Sequence, residues 1–221
     1  MRTKAGFFRV EGTLTPRPSI ATAAWLAGNA QAAHERLLRL GNVALAAPFL
    51  GGPLRDAASA SRVLWMGLRG ISEDRLVVLG EEYAERFVIP SLREVGLALV
   101  EQARASGHRI VLVSDNLDVV MRHVFEHLGV DDLVCNSMEI RDGKATGRLH
   151  DPVIGGHVTV DWARRFAAEN GIDLGASSGY GAQAEDGMLL ASLGMPCAVH
   201  PDWQLRRMAR DLSWPVVEGK P

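Results

Sequence analysis

Short apolar runs alternate with helix-period runs along most of this chain, and that alternation limits its fold more than any single residue does. Residues 6–10, 109–113, 132–137, 197–200 and 215–217 are brief continuous apolar stretches. Between them, residues 90–106, 117–128, 158–170, 186–193 and 203–212 repeat their apolar positions at helical spacing. Strands that are apolar on both faces need cover on both faces, so this pattern predicts an α/β chain with a parallel sheet between two helical layers. Ligands of such sheets bind beyond the carboxyl ends of the strands, which directs the residues after Val10, Val113 and Tyr180 into one crevice.

The expected core is therefore three-layered and Rossmann-like, formed by residues 1–16 and 89–221. Residues 17–88 break the alternation with Ala-rich helical pattern and no strand. Segments 21–28, 32–40, 57–68 and 72–87 read as four helices, with Ser72 and Asp74 as a capping region and Pro48, Gly51, Gly52 and Pro53 as breaks. Trp25, Trp65 and Tyr83 fall on these helices as packing residues.

A chain of 221 residues, 47% of them hydrophobic, can bury a full core. A net charge of −2 offers no footprint for nucleic acid. Cys135 and Cys197 sit in apolar runs, so buried reduced thiols are expected rather than a disulfide. The apolar stretches are too short for a membrane span, and the first residues lack a signal-type apolar region. A soluble cytoplasmic protein is the expectation.

The first strand, Gly6-Phe7-Phe8-Arg9-Val10, runs into the turn Glu11-Gly12-Thr13-Leu14-Thr15. Further along come Gly107-His108-Arg109-Ile110-Val111-Leu112-Val113-Ser114, then Asn136-Ser137-Met138-Glu139 with Gly143-Lys144-Ala145-Thr146-Gly147. Gly179-Tyr180-Gly181-Ala182-Gln183-Ala184-Glu185-Asp186 follows, and Val199-His200-Pro201-Asp202 closes the set. In order and spacing these stretches resemble the motifs of the haloacid-dehalogenase-like (HAD) phosphatases, in particular the phosphoserine-phosphatase-like branch. The resemblance covers most of the chain and implies that residues 17–88 are an all-helical cap over the site.

That family uses an aspartate nucleophile to form a phosphoryl-enzyme, a second aspartate two residues on as acid and base, and Mg²⁺. The resemblance puts Arg9 at the nucleophile position, and a guanidinium has no lone pair with which to attack phosphorus. Glu11 falls at the acid-base position. In the metal-binding loop Ala182 replaces the first aspartate and Gln183 the serine, while Asp186 keeps the second aspartate. The phosphate-clamping lysine falls on Thr159, or on His157 if the alignment slips by two. Ser114 keeps the phosphate-binding hydroxyl, Gly12 and Thr13 keep the turn, and Asp115 and Asn116 add polar groups.

With two expected anchors changed to Arg9 and Ala182, magnesium is predicted to bind weakly or not at all, and no other cofactor is expected. Arg9 is expected to take over the metal's electrostatic role, paired with Asp186 or Glu11. The plainer readings are a structural ion pair for Arg9, a helix cap for Ser114 and a first-turn carboxylate for Asp186. His150, Asp151, His157 and His200 lack metal-site spacing, and Arg206, Arg207 and Arg210 read as a solvated helix face.

The favoured function is a binding or scaffold protein inactive as a phosphatase, with a protein partner or a small anionic or phosphorylated metabolite as its ligand. One alternative is a metal-independent enzyme with Glu11 as general acid or base and Arg9 as an anion clamp. Residual phosphomonoester hydrolysis is the other.

Overall fold

Phe7 and Phe8 point to opposite faces of the first strand, and each enters a complete apolar layer. The computed structural model describes residues 3–29, 40–41, 43–45 and 57–219. Its strands are β1 (Ala5–Arg9), β2 (Arg109–Leu117), β3 (Asp132–Asn136), β4 (Met138–Arg141), β5 (Lys144–Leu149), β6 (Ser178–Gly181), β7 (Met195–Val199) and β8 (Val216–Val217). Six of them form one parallel sheet in the order β3-β2-β1-β6-β7-β8, and β4 and β5 form a separate antiparallel hairpin.

Helices α4 (Glu94–Ala105) and α5 (Asp118–Leu128) cover the face that receives Phe8, Ile110 and Leu112. On the other face Phe7, Val111 and Val113 meet Val160 and Ala163 of α6 (Gly156–Glu169) and Leu189 of α7 (Gly187–Ala191). Helix α8 (Trp203–Asp211) packs beside them through Leu205 and Ala209. Each fully buried Phe or Leu contributes about 1.5–3 kcal/mol, which makes the alternating Phe7 and Phe8 anchors of both layers.

The chain leaves β1 for β2 and β3 on one side and returns to β6 on the other. The connections diverge at β1, which opens a crevice beyond the carboxyl ends of β1, β2 and β6.

The central strand β6 has no counterpart among the apolar runs of the sequence. Its Ser-Gly-Tyr-Gly composition follows from close packing: a Cβ on Gly179 would lie 2.4 Å from Leu193 Cδ1, and one on Gly181 2.7 Å from Asp186 Cβ. The helix expected over 90–106 begins only at Glu94, because Pro90 directs the chain through a 3₁₀ turn at Ile89–Ser91. Strand β2 runs four residues past the expected Val113, through a register irregularity relative to β3.

Three helices of the inserted segment are described: α1 (Ser19–Gly28), α2 (Ala57–Met66) and α3 (Glu73–Tyr83). Ser72 caps α3 by accepting from Arg75 N at 3.4 Å, and the helix continues as a π turn over Ala84–Val88. The expected helix at 32–40 lies, apart from Leu40, outside the described residues, as do the breaks at Pro48, Gly51, Gly52 and Pro53. Trp25, Tyr83 and Phe87 form an aromatic cluster with ring centroids 5.2–5.9 Å apart, and Trp65 is fully buried.

Helix α3 lies so close on α5 that a Cβ at Gly80 would stand 2.3 Å from Val119 O. Both cysteines are free thiols, and burial pushes the Cys135 thiol up to about 12. Among the described residues, no helix is long and apolar enough to cross a membrane.

Candidate functional site

Arg9 is the last residue of β1, and its register opposite Val113 carries its side chain into the crevice. Three carboxylates from three different segments surround it there. Arg9 Nε lies 2.7 Å from Asp186 Oδ1, while Nη2 lies 3.6 Å from Asp115 Oδ1 and 3.8 Å from Glu11 Oε2. The Nε contact is a close ion pair whose angle is too bent for a hydrogen bond. Nη1 reaches the Val113 carbonyl at 3.5 Å. Burial works against the guanidinium charge, but Asp186, Asp115 and Glu11 outweigh it and strengthen its hold on the proton.

Each carboxylate is fixed by local backbone geometry. Gln183 leads into a short 3₁₀ turn, Ala184–Asp186, which folds the Asp186 side chain back so that Oδ2 accepts from Ala182 N and Gln183 N, both at 2.9 Å. Asp186 thus caps the loop that precedes α7, one position earlier than the first-turn role expected for it. Gly181 admits this side chain because it has no Cβ of its own.

Ser114, Asp115 and Asn116 occupy the irregular stretch of β2, where the strand departs from regular pairing with β3. Ser114 Oγ donates to Glu11 Oε1 at 2.6 Å and accepts from Asn116 N at 3.0 Å. Ser114 therefore caps no helix, since Leu117 holds the N-cap position of α5 without a side-chain bond. Asp115 Oδ2 accepts from Ser19 Oγ at 3.2 Å, and Asn116 Nδ2 donates to Thr22 Oγ1 at 2.8 Å. Helix α1 is thereby latched onto the end of β2.

Glu11 Oε2 and Asp115 Oδ1 flank the same guanidinium nitrogen, and both are buried without a hydrogen-bond partner. Burial first, and then the negative charge of Asp115, raise the Glu11 carboxyl well above the usual carboxylate range, against the opposing pull of Arg9.

Gly12 turns the chain at φ +82°, and a Cβ there would come within 2.7 Å of Ala182 Cβ. Its carbonyl accepts from Arg93 Nη1, and Arg93 N donates to Leu14 O at 2.8 Å. Thr13 is fully buried, with its hydroxyl unpartnered.

The geometry gathers Arg9, Glu11, Gly12, Thr13, Ser114, Asp115, Asn116 and Asp186 in one place. Thr159 is buried in the first turns of α6. His157 instead lines a groove between α6 and α7 with Asp161, Arg164 and Met188, and none of the residues around Arg9 is among its walls.

Sequence reasoning missed Ser19, Thr22, Arg93 and Asn136. The hydroxyls at positions 19 and 22, one helical turn apart in an Ala-rich segment, were the available signal. Asn136 holds the irregular stretch from below, donating to Asp115 O at 2.7 Å and accepting from Ile154 N at 2.8 Å. Asn136 opens one of the motif stretches, but nothing in the sequence assigned its side chain this role, and no local pattern marked Arg93. Among the described residues, no cluster of three His, Cys, Asp or Glu side chains is arranged to hold a metal ion.

The family model for haloacid dehalogenase-like hydrolases matches residues 7–187, a span that contains every residue of this crevice. The chain belongs to that family. A Streptomyces azureus relative named "Inhibition of morphological differentiation protein" is 29% identical to this HAD-like chain over 170 residues, 76% of this chain and 61% of the relative. A phosphoserine phosphatase of Mycobacterium tuberculosis is 26% identical over 161 residues, 73% of this chain and 52% of its own. The matched regions thus span between half and about three-fifths of these curated relatives' lengths.

Among solved structures, a protein of unknown function from Bordetella pertussis Tohama I superposes with a TM-score of 0.84 at 26% identity, over 98% of this chain and 99% of that one. A substrate-bound phosphoserine phosphatase gives 0.74 at 19% identity, over 99% and 94%, and speaks for the HAD fold alone.

Proposed function

We propose that this HAD-like chain is a non-catalytic binding or scaffold protein whose ancestral phosphate site has become an internal ion-pair cluster. The observation that carries this reading is where the donors go. Ser114 donates to Glu11, the Ala182 and Gln183 amides are taken by Asp186, and the Arg9 guanidinium faces three carboxylates. A phosphate entering the crevice would meet carboxylate oxygens instead of donors, and Arg9 would have to leave its partners to hold it.

The family resemblance implies Mg²⁺, and the residues present do not fit it. The guanidinium lies among the carboxylates that a dication would need, and Ala182 offers no ligand oxygen from its side chain. On this reading Arg9 supplies the local positive charge that the metal supplies in the family. One guanidinium stands against the Asp115, Asp186 and Glu11 carboxyl groups, and burial with the charge of Asp115 raises the hold of Glu11 on its proton, which lowers the negative charge the guanidinium must offset. On this reading α1 belongs to the cap that the resemblance implies, and its latch holds it to the end of β2.

The raised proton affinity of buried Glu11 favours a second reading, a metal-independent acid-base enzyme. Against it, Arg9 is no free anion clamp. An assay with phosphomonoesters and Mg²⁺ tests the first reading: turnover at background, unchanged in Glu11→Gln, is expected. Magnesium-stimulated phosphate release that the same substitution abolishes would overturn it, and a metal-independent reaction lost in Glu11→Gln would favour the second.

A further inference from the structure

Away from the crevice, the outer face of the β4–β5 hairpin concentrates positive charge on a chain whose net charge is −2. Met138, Ile140, Ala145 and Leu149 share the face turned toward the core, as their pairing shows. The pleat therefore sends Arg141, Lys144, Thr146 and Arg148 to the opposite face with Glu139. Arg69, in the turn after α2, joins them, and together with Asp142 these residues line a cleft of about 280 Å³.

The cleft stands on a rigid base. Residues 70–73 add to the hairpin as a third strand-like segment, through Gly70 N to Ala145 O at 2.8 Å, Ala145 N to Ile71 O at 2.8 Å and Glu73 N to Gly143 O at 3.0 Å. Gly147 sits under the turn, where a Cβ would lie 3.1 Å from both Met66 O and Arg69 Cβ. The spacing between Arg69 and the hairpin cations is fixed by backbone, not by loose loops.

Glu139 offsets part of this charge through its ion pair with Arg141, but only part. One of its oxygens accepts from Arg141 Nη2 at 3.1 Å and the other from Thr146 Oγ1 at 2.8 Å, so it positions two wall residues. Four cations against two carboxylates leave the lining net positive.

We propose that this cleft is a binding site for a small anion carrying a diphosphate group. A single phosphate is spanned by about two cationic side chains, whereas two linked phosphoryl groups can engage arginines on the α2 turn and on the hairpin at once, each by paired N–H donors. The volume suits a ligand of metabolite size and leaves little room for a folded partner. The site is independent of the Arg9 crevice and stands whether or not the chain has catalytic activity.

The test is a titration of the whole chain with inorganic pyrophosphate at about 0.05 M salt, where screening is weak, followed by heteronuclear NMR. Saturable shifts are expected at the amides of Arg69, Lys144 and Arg148, with inorganic phosphate binding at least about tenfold more weakly. Lys144→Glu with Arg148→Glu should weaken pyrophosphate binding by about tenfold or more, and the milder Lys144→Gln with Arg148→Gln should show a smaller loss in a chain of unchanged melting temperature. The proposal is overturned by shifts centred on Arg9 and Ser114, by equal affinity for phosphate and pyrophosphate, or by variants that bind as the parent does. Tighter binding of a poly-glutamate peptide than of pyrophosphate would also overturn it, and would point to an acidic protein segment.

Discussion

Arg9 Nε and Asp186 Oδ1 stand 2.7 Å apart, with side chains only 9% and 3% exposed, so the pair joins the end of β1 to the loop before α7 inside the protein. Removing one member of such a pair leaves the other charged and uncompensated, which costs more than the pair's own net contribution.

Arg9→Ala should therefore destabilise the chain by about 3–5 kcal/mol near neutral pH, because Asp115 and Asp186 lose their common counter-charge. Arg9→Met, which keeps the volume, should lose nearly as much, since the missing charge and not the cavity dominates. Urea denaturation of both variants measures this. A loss below about 1 kcal/mol in each would show that the cluster contributes little to the fold.

Magnesium should not stabilise the chain. A ligand present at a hundred times its Kd adds about 2.7 kcal/mol, which thermal melting detects readily. With Arg9 among the carboxylates, melting temperatures with Mg²⁺ and with EDTA should coincide. Arg9→Asp replaces the guanidinium with a further carboxylate, so that variant should melt lower in EDTA and regain part of the loss when Mg²⁺ is added. A parent protein that gains several degrees from Mg²⁺ would contradict the ion-pair reading.

The sheet was legible because strands buried on both faces must be apolar throughout, as Val111, Leu112 and Val113 are. β6 was expected only as the strand end at Tyr180 and not from an apolar run, because its glycines answer to close packing by Leu193 and Asp186. At the site, the side chains converging on the crevice could be named from the motifs, and the Arg9–Asp186 contact was among the pairings expected. The part played by Asp115 was not: it depends on the irregular stretch of β2, which no propensity encodes. The latch from Ser19 and Thr22 was equally hidden, since it requires knowing where α1 lands.

That latch should be separable from the charge cluster. Thr22→Val keeps shape but removes the acceptor for the buried Asn116 Nδ2, a loss of about 1–3 kcal/mol. Ser19→Ala, at a partly buried bond, should cost about 0.5–1.5 kcal/mol. Hydrogen exchange in α1 should speed up by about tenfold for each 1.4 kcal/mol of local stability lost, while β1 and β2 stay protected. Uniform acceleration across the whole sheet would show instead that α1 and the core open as one unit.

Glu11 gives the chain a pH signature opposite in sense to that of an ordinary ion-paired carboxylate. Its folded-state proton affinity is raised, first by burial and then by Asp115, so between the unfolded and folded values the native state holds a proton that the unfolded chain has released. Stability linked to this group is fully present below about pH 4.5, the unfolded value, and is lost as pH rises through the folded one. Glu11→Gln carries the equivalent of that proton permanently. The variant should match the parent in acid and become the more stable of the two as pH rises, by about 1.4 kcal/mol for each pH unit separating the two values. Denaturation curves of parent and variant from pH 4 to pH 9 measure the difference directly. If the parent instead gained on the variant with rising pH, Glu11 would be an ionised partner of Arg9 and its proton affinity would not be raised.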